Sequence, residues 1–285
     1  MNKLLMATRP KTLIASLSPI CIGTAMAYAG GSFHFWVFLF TLLTGLGIQI
    51  STNFANDLFD YLKGADTKQR KGPIRVTASG LMKVAEMKWA TFFLISVTAL
   101  FGSILVIRGG LLIAILIAFA LLLSLAYTAG PFPLAYLGLA EFFILIFFGP
   151  VASGFTYYLQ TSSLAPWPFF AGIAPGLISC SLLIINNLRD IDEDRQANKK
   201  TLVVRFGTRF GKWEYTLALL IACLIPLFFI NKPLVLLTLI CLAPAHLLSR
   251  AVFQNTDPYA YNPLLGKTGQ LLTLYTFIFS LSYIL

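Results

Sequence analysis

Long apolar runs alternate with short polar segments along most of this 285-residue chain. A helix needs about 20 predominantly apolar residues to cross a lipid bilayer. Nine runs approach that length, at about 12–30, 35–56, 88–107, 110–127, 134–157, 168–188, 213–230, 233–249 and 266–284. The pattern therefore predicts an all-α, polytopic membrane protein with nine transmembrane helices, in which residues 1–285 form one domain.

The composition agrees with this prediction and excludes other classes of protein. Hydrophobic residues make up 58% of the chain and charged residues 11%, whereas a soluble domain has about 25% charged residues. A soluble enzyme and a disordered chain are therefore excluded. The cysteines lie within apolar runs without metal-ligand spacing, so we interpret them as buried apolar side chains and not as a disulfide scaffold. They are Cys21, Cys180, Cys223 and Cys241.

Positive charge is distributed unevenly across the predicted membrane. The chain has 21 Lys and Arg against 11 Asp and Glu, a formal net charge of +10. If the N-terminus is cytoplasmic, 19 of the 21 cations fall in cytoplasmic segments, and Arg108 and Lys232 fall outside. Because cytoplasmic loops carry the excess of Lys and Arg, the sequence predicts a cytoplasmic N-terminus and an external C-terminus.

Two polar loops on the predicted cytoplasmic side, at about 57–87 and 189–212, contain two clusters of acidic residues. Seven of the 11 acids belong to these clusters. Each cluster begins with an Asn-x-x-x-Asp pattern at a helix end, Asn56 to Asp60 and Asn186 to Asp190. The two patterns lie about 130 residues apart, which predicts an internal pseudo-repeat.

The second pattern continues at the same spacing. If the sixth helix extends past the membrane boundary, Asn186, Asp190 and Asp194 share one of its faces. Carboxylate and amide oxygens in such a partial shell suit Mg²⁺, which retains water and accepts phosphate oxygens from a substrate. Six residues are the candidate metal ligands: Asn56, Asp57, Asp60, Asn186, Asp190 and Asp194.

The first pattern ends differently. Asn56 and Asp60 share a face at the end of the second helix, and Lys63 continues that face. Gly64 then permits a break in the helix, which allows Asp66 to turn back toward the same site.

Basic residues lie within and beside both acidic clusters. Metal ions with Arg and Lys side chains neutralise a diphosphate and stabilise its departure as a leaving group. The alternative is that these are solvated loops in which acids and bases pair at a surface; two matched clusters on one side favour a site. The basic residues are Lys63, Lys68, Arg70, Lys71, Arg75, Arg189, Arg195, Lys199 and Lys200.

Other candidates lie in or next to the predicted spans. Glu141 is the carboxylate that lies well inside a span; it positions a substrate hydroxyl, accepts a proton or pairs with a helix-end amide. Arg9 is either a positive-inside anchor or a guanidinium for an acidic acceptor. The chain also has 25 Phe, 11 Tyr and 4 Trp, whose aromatic faces either stabilise a carbocation or simply pack in the membrane.

These motifs resemble those of a known family. The segment from Asn56 to Asp66, followed by Gly72-Pro73-Ile74-Arg75, resembles the first Asp-rich motif of the UbiA superfamily of intramembrane prenyltransferases. The segment from Asn186 to Arg195, running on to Gly207, resembles the second. Within that superfamily, Arg9-Pro10-Lys11-Thr12-Leu13 and Tyr127-Thr128-Ala129-Gly130-Pro131 resemble the 1,4-dihydroxy-2-naphthoate polyprenyltransferases of menaquinone biosynthesis.

The resemblance implies a fold and a set of site residues. The fold is a nine-helix bundle around a central cavity, with Mg²⁺ and a polyprenyl diphosphate bound at its cytoplasmic end. Asn56, Asp60, Asp190 and Asp194 match the metal positions, and Asp66 and Asn186 match flanking motif positions. The candidate catalytic residues are Asp60, Asp66, Asp190, Asp194 and Glu141. The candidate substrate-binding cations are Arg9, Lys63, Arg70, Arg75, Arg189 and Lys199.

The resemblance also implies a reaction and its partners. A polyprenyl group passes to an aromatic acceptor, 1,4-dihydroxy-2-naphthoate, with release of diphosphate and CO₂ in a bacterial inner membrane. Many hydroxybenzoate-specific members have a Tyr-x-x-x-Lys pattern, whereas here Tyr127 is followed by Pro131, which argues against a benzoate. Hydroxybenzoate, homogentisate, haem and related naphthoates remain alternative acceptors. A secondary transporter is a further alternative, although the acids lie at one membrane face and not at the midplane. Membrane lipid is an expected partner and nucleic acid is not.

Overall fold

The computed structural model describes residues 3–66 and 71–285, and these residues are predominantly helical, without a strand. This confirms the all-α fold class. The α-helices are α1 (Lys3–Thr8), α2 (Ile14–Ala29), α3 (Phe35–Leu62), α4 (Val84–Ala126), α5 (Leu134–Leu137), α6 (Ala140–Ile146), α7 (Ala152–Thr161), α8 (Pro166–Arg189), α9 (Ile191–Gln196), α10 (Leu202–Phe206), α11 (Thr208–Leu224), α12 (Leu242–Gln254) and α13 (Tyr261–Ile284). The 3₁₀ segments are Pro10–Thr12, Ile225–Phe229, Pro233–Cys241 and Pro258–Ala260, and Phe147–Val151 is a π-helical turn between α6 and α7.

Several of these helices are long and apolar enough to cross a membrane. Six segments meet that condition in the described part of the chain, or seven if the bent pair Lys3–Thr12 and Ile14–Ala29 forms one span. The six are Phe35–Leu62, Val84–Ala126, Ala140–Thr161, Pro166–Arg189, Thr208–Phe229 and Pro233–Gln254. The chain is therefore an integral membrane protein, while the predicted count of nine spans is not confirmed.

Relative to the upper count of seven, the difference arises at two helices; the lower count of six also leaves out α2. Helix α4 is 43 residues long and contains the predicted span 88–107 and all but the last residue of the predicted span 110–127. Its backbone leaves the helical region at Gly110, with φ 64° and ψ −159°, a conformation that glycine adopts without a steric penalty. Helix α13 contains the ninth predicted span, but its polar residues make it less apolar than the other six segments.

Helix α8 lies at the centre of the packing. It contacts α2, α6, α7, α11 and α13. Ile178 and Ile185 of α8 are fully buried, in the same apolar core as Tyr215, Leu219 and Phe279. This position fixes the helix that carries the second Asn-x-x-x-Asp pattern.

Small residues allow α8 to approach α6 and the π-helical turn. A Cβ atom on Gly172 would lie 2.6 Å from the Gly149 carbonyl oxygen, and one on Gly176 would lie 2.5 Å from the Leu145 carbonyl oxygen. Close backbone contact through small residues is typical of packing between membrane helices.

One of the two motif helices ends as the sequence predicts, and the other does not. Helix α3 continues to Leu62, so Asn56 and Asp60 lie on one continuous helix. The predicted extension of the sixth helix is wrong, because α8 ends at Arg189 and α9 begins at Ile191. Asp190 caps α8 with φ −97° and ψ 13°, and Asp194 therefore lies on a separate short helix.

Candidate functional site

A cavity of about 500 Å³ lies between α2, α3, α4, α6 and α8. One part of its wall consists of charged and amide side chains from the two motifs, and most of the remainder is apolar. The polar residues include Arg9, Asn53, Asn56, Arg75, Asn186, Asn187, Arg189, Asp190, Asp194 and Lys199. The apolar residues include Ile48, Leu123, Phe143, Ile144, Phe147, Phe148, Leu182 and Leu183.

A smaller apolar pocket of about 150 Å³ adjoins this cavity. The two share four wall residues, Ile48, Ala120, Phe147 and Phe148. The polar region and the apolar extension together match the shape of an amphiphile with a charged head and a hydrocarbon tail.

Asp60 of α3 contacts three side chains, one hydroxyl and two cations. Its Oδ1 accepts a hydrogen bond from the Tyr136 hydroxyl at 3.1 Å. Its Oδ2 lies 3.1 Å from Lys199 Nζ and 3.5 Å from Arg75 Nη2. Asp60 is 2% exposed, so these two cations compensate the cost of burying its charge.

The break after α3 returns Asp66 to this site, as the glycine predicted. Gly64 has φ +70°, and the amides of Ala65 and Asp66 both donate to the Asp60 carbonyl. Asp66 Oδ2 then lies 3.2 Å from Arg75 Nε. Arg75 therefore bridges Asp60 and Asp66.

Asp57 has a different environment from its neighbours in the motif. Its two carboxylate oxygens accept hydrogen bonds from the Val76 and Thr77 amides, at 3.0 and 2.9 Å. These contacts hold the loop that carries Arg75. Asp57 does not line the cavity, so its geometry indicates an anchor for the loop, and its role as a metal ligand stays a prediction.

The second motif contains a buried arginine–carboxylate pair. Arg189 Nε and Nη2 donate to the two oxygens of Asp190, at 2.6 and 2.8 Å. Arg189 Nη1 donates to Asn262 Oδ1 at 2.8 Å, and Asn262 Nδ2 donates to the Lys71 carbonyl at 3.2 Å. Arg189 is 1% exposed, so this two-bond pair fixes the orientation of the Asp190 carboxylate.

Lys199 joins the two motifs. Its ammonium lies 3.1 Å from Asp60 and 4.0 Å from Asp194 Oδ1. The Tyr136 ring contacts two cations, with Lys63 Nζ 4.7 Å and Lys199 Nζ 5.0 Å from its centroid. The structure thus brings Asp60 of one motif and Asp194 of the other to a single cation.

A second link between the motifs lies in the loops that follow α3 and α8. The Lys71 amide donates to Glu193 Oε1 at 2.9 Å, and Lys71 Nζ lies 3.0 Å from Asp192 Oδ2. The hydrogen bond with Asp192 raises the pKa of the Lys71 ammonium. Together with Asn262, these contacts dock the first loop onto α9.

Lys63 occupies a different place from the one predicted for a diphosphate contact. Its ammonium donates to the Thr128 and Gly130 carbonyls, at 2.7 and 3.4 Å, and it does not line the cavity. Burial lowers its pKa, and Lys199 adds to this effect while Asp60 opposes it. Lys63 thus supports the segment 127–131, and direct contact with a diphosphate stays a prediction.

The amides of the two motifs lie in the cavity wall. Asn56 Oδ1 accepts a hydrogen bond from the Thr128 hydroxyl at 3.0 Å, and Asn186 also lines the cavity. Arg9, with φ 52° at the start of the Pro10–Thr12 segment, lines the cavity too. Arg70 lies outside the described residues.

Glu141 lies behind the cavity wall. Its Oε1 accepts a hydrogen bond from Asn187 Nδ2 at 2.8 Å, and its backbone carbonyl accepts one from the Cys180 thiol at 3.1 Å. Asn187 lines the cavity whereas Glu141 does not. Of the three roles considered for Glu141, pairing with an amide near a helix end is the one that this geometry supports, and a catalytic role stays a prediction.

Sequence reasoning missed three residues of this site. Tyr136 and Asn262 contact the motif acids or arginine from far along the chain, and no local spacing indicates them. Asn187 had a usable signal, because it immediately follows Asn186 at the end of a span.

The donor atoms of the site fit a partly hydrated cation. Within residues 3–66 and 71–285, no three His, Cys, Asp or Glu side chains converge as a ready-made metal cage. Instead, amide and carboxylate oxygens of Asn56, Asn186, Asp190 and Asp194 line one cavity. Such a set suits Mg²⁺, which uses one or two carboxylates and completes its shell with water and phosphate oxygens.

Comparisons with known proteins agree with this architecture. Residues 16–265 match the model of the UbiA prenyltransferase family. A 1,4-dihydroxy-2-naphthoate octaprenyltransferase from Haemophilus influenzae is 35% identical over 97% of this chain and 94% of its own length. The protein of the same name from Escherichia coli is 36% identical over 95% of this chain and 92% of its own.

A solved structure supports the fold independently. The UbiA homolog from Archaeoglobus fulgidus bound to DMAPP and Mg²⁺ superposes with a TM-score of 0.63. The alignment covers 98% of this chain and 99% of that one, at 13% sequence identity. The helical arrangement is therefore shared although the sequences have diverged widely.

Proposed function

The chain belongs to the UbiA prenyltransferase family, and we propose that it transfers a polyprenyl group from a polyprenyl diphosphate to 1,4-dihydroxy-2-naphthoate in menaquinone biosynthesis. The products are demethylmenaquinol, diphosphate and CO₂. The observation that carries this proposal is that residues of both motifs line the polar region of one largely apolar cavity, Asn56 and Arg75 from the first motif and Asn186, Asp190 and Asp194 from the second. The names of the two full-length relatives support this acceptor.

Mg²⁺ is the cofactor that we propose, held by Asn56, Asp60, Asp190 and Asp194, with Asn186 beside them. When bound, the ion would neutralise charge on the diphosphate and so favour its departure. The ligands of the Archaeoglobus homolog, DMAPP and Mg²⁺, are consistent with this assignment.

Basic side chains supply the rest of the charge that a diphosphate requires. Lys199, Arg75 and Arg189 line the cavity and are already oriented by Asp60 and Asp190. As the allylic C–O bond breaks, the electron pair leaves with the diphosphate, whose growing negative charge these cations stabilise. Because the groups are oriented before the reaction, little reorganisation is needed in the transition state.

The apolar part of the cavity surrounds the allylic cation that forms when the diphosphate leaves. Phe143 and Phe147 stack with their ring centroids 6.5 Å apart and line the cavity, and such faces stabilise an allylic cation without reacting with it. The electron-rich naphthoate ring then forms the new C–C bond. Its carboxylate leaves as CO₂, and the electron pair of the broken bond returns to the ring. Arg9 is the cation that we assign to that carboxylate before it leaves.

The place of this reaction follows from the orientation proposed from the sequence. We place the protein in a bacterial inner membrane, with the motifs at the cytoplasmic face, where a diphosphate and Mg²⁺ are available. The polyprenyl tail occupies the apolar pocket next to the main cavity and extends toward the lipid.

The test is a transfer assay with the purified protein in detergent, where no ion gradient exists. A labelled polyprenyl diphosphate and Mg²⁺ are supplied with 1,4-dihydroxy-2-naphthoate, 4-hydroxybenzoate or homogentisate, and products are identified by mass spectrometry. We expect demethylmenaquinol, loss of product with EDTA and recovery with added Mg²⁺. Transfer to hydroxybenzoate but not to the naphthoate would overturn the acceptor, and undiminished transfer in EDTA would overturn the cofactor. Absence of any prenyl product would favour the transporter alternative.

A further inference from the structure

The pseudo-repeat of the two motifs extends deeper into the bundle than the acids. Gln49 lies seven residues before Asn56 on α3, and Ser179 lies seven residues before Asn186 on α8. Each is therefore two helical turns, about 10.5 Å along its own helix, from the motif amide. Both side chains line the main cavity.

In the part of the chain that the structure describes, these two are the uncharged side chains of the cavity wall that have a buried polar atom without a hydrogen-bond partner. Gln49 Oε1 and Ser179 Oγ are buried, and neither has a hydrogen-bond partner among the residues that the structure describes. Gln49 is 9% exposed and Ser179 is 3% exposed. Two helical hydroxyls nearby bond to their own backbone: Ser181 donates to the Leu177 carbonyl and Thr52 to the Ile48 carbonyl. The Ser51 hydroxyl is also without a partner among the described residues, but Ser51 does not line the cavity. An unmet polar group in an apolar wall costs about 1–3 kcal/mol, so a polar ligand atom is its natural complement.

We propose that Gln49 and Ser179 bind the hydroxyl groups of the aromatic acceptor and thereby select a dihydroxylated ring. This inference rests on the proposed function and identifies further residues of the same site. The Gln49 carboxamide oxygen accepts a hydrogen bond from one ring hydroxyl, and the Ser179 hydroxyl pairs with the other. Two partners on different helices suit a ring whose hydroxyls lie on opposite sides.

Two other occupants of this part of the cavity, a polyprenyl tail and water, would have different effects on acceptor binding. A polyprenyl tail has no polar atom for these groups, so a tail at this depth would leave both unpaired and costly. Water would satisfy them equally well, but then their removal would not change which acceptor is selected. Acceptor discrimination therefore separates the three occupants.

The experiment compares Gln49→Met and Ser179→Ala with Ser181→Ala in the purified full-length protein. Ser181→Ala is the matched control, because it removes a hydroxyl from the same helix at a residue that does not line the cavity. The measurements are the KM values for 1,4-dihydroxy-2-naphthoate and for the polyprenyl diphosphate. The inhibition constant of 1-hydroxy-2-naphthoate, which lacks one hydroxyl, is measured in parallel.

We expect each variant to raise the KM for the dihydroxy acceptor about tenfold, as the loss of one hydrogen bond predicts. The KM for the polyprenyl diphosphate should not change, and at least one variant should bind the monohydroxy compound as well as the wild type does. A rise confined to the polyprenyl diphosphate, or unchanged values throughout, would overturn the inference. Failure of the proposed function is distinct, because the wild-type protein would then form no prenylated naphthoate.

Discussion

The carboxylates of the two motifs are compensated by different kinds of partner. Asp60 and Asp190 face cations that also line the cavity, Lys199 and Arg189. Asp57 pairs with no cation among the residues that the structure describes; instead, two backbone amides donate hydrogen bonds to its oxygens. Neighbouring acids in one motif thus have different roles: Asp60 orients cations of the cavity wall, and Asp57 holds a loop.

This division predicts opposite kinetic signatures for two substitutions of the same kind. Asp60→Asn removes the charge that orients Lys199 and Arg75, and we expect it to abolish turnover while the protein stays folded and inserted. Asp57→Asn turns an amide NH₂ toward a backbone N–H, which costs about 1–3 kcal/mol locally and loosens the loop of Arg75. We expect Asp57→Asn to raise the KM for the polyprenyl diphosphate and to retain measurable turnover.

Prenyl transfer by the purified variants in Mg²⁺ measures both effects, with Asp192→Asn as the control. The Asp192 side chain is 57% exposed, and Glu193 and Asn262 still hold Lys71 when this surface pair is lost, so its removal has little effect. Near-normal transfer by Asp60→Asn would contradict the role of the first motif. Identical kinetics for the Asp57 and Asp60 variants would contradict the division between them.

The residue spacing predicted part of this site. Asn-x-x-x-Asp at two helix ends indicated which acids meet, because side chains four apart share a helix face. Tyr136 and Asn262 were beyond that reasoning: they contact Asp60 and Arg189 across 76 and 73 residues of chain. Such contacts depend on how the helices pack, which no local period encodes.

At the scale of elements, helix ends decide how the motifs are presented. Asn56 and Asp60 remain on one helix, whereas Asp190 is a cap and Asp194 begins again on α9. Apolar periodicity predicted where α8 lies, but not this break, since the residues around Asp190 are polar in either conformation. The break turns α9 so that Lys71 reaches Asp192 and Glu193.

The position of α8 depends on its contact with the π-helical turn, and this predicts the effect of a single methyl group. Gly172→Ala would place a Cβ 2.6 Å from the Gly149 oxygen, and backbone atoms on both sides cannot easily move. We expect a loss of about 1–3 kcal/mol in stability and reduced transfer, because Asn186 and Asp190 move with the helix.

The thermal unfolding midpoint in detergent measures this, with Gly266→Ala as the control. A Cβ on Gly266 meets no atom within 4 Å, and alanine favours a helix over glycine by about 1 kcal/mol. Equal midpoints for the two variants would show that α8 does not rely on this close approach.

At the scale of the whole molecule, the charge pattern and the helix lengths give different numbers of membrane-spanning helices. The sequence places 19 of 21 cations on one side if nine helices span the membrane, whereas length and composition of the described helices support six or seven. Hydropathy alone could not determine the number of spans. Helix α4 is one continuous apolar segment although its backbone leaves the helical conformation at Gly110, and α13 contains Lys267 among its apolar residues. Only the membrane sides of the connecting loops distinguish the two counts.

Helix α13 provides the decisive case, since the side of the C-terminus depends on whether it crosses the membrane. We expect Gln254 and Leu285, which flank it, to lie on opposite sides, with Leu285 external. Single cysteines are introduced at these positions after the four native cysteines are replaced by serine, and right-side-out vesicles are treated with a membrane-impermeant maleimide. Leu285→Cys should react in intact vesicles, and Gln254→Cys only after lysis.

Ser163→Cys, in the predicted external loop between α7 and α8, serves as the positive control. If Leu285→Cys is protected until lysis while Ser163→Cys reacts, α13 does not span, and the nine-helix topology is wrong.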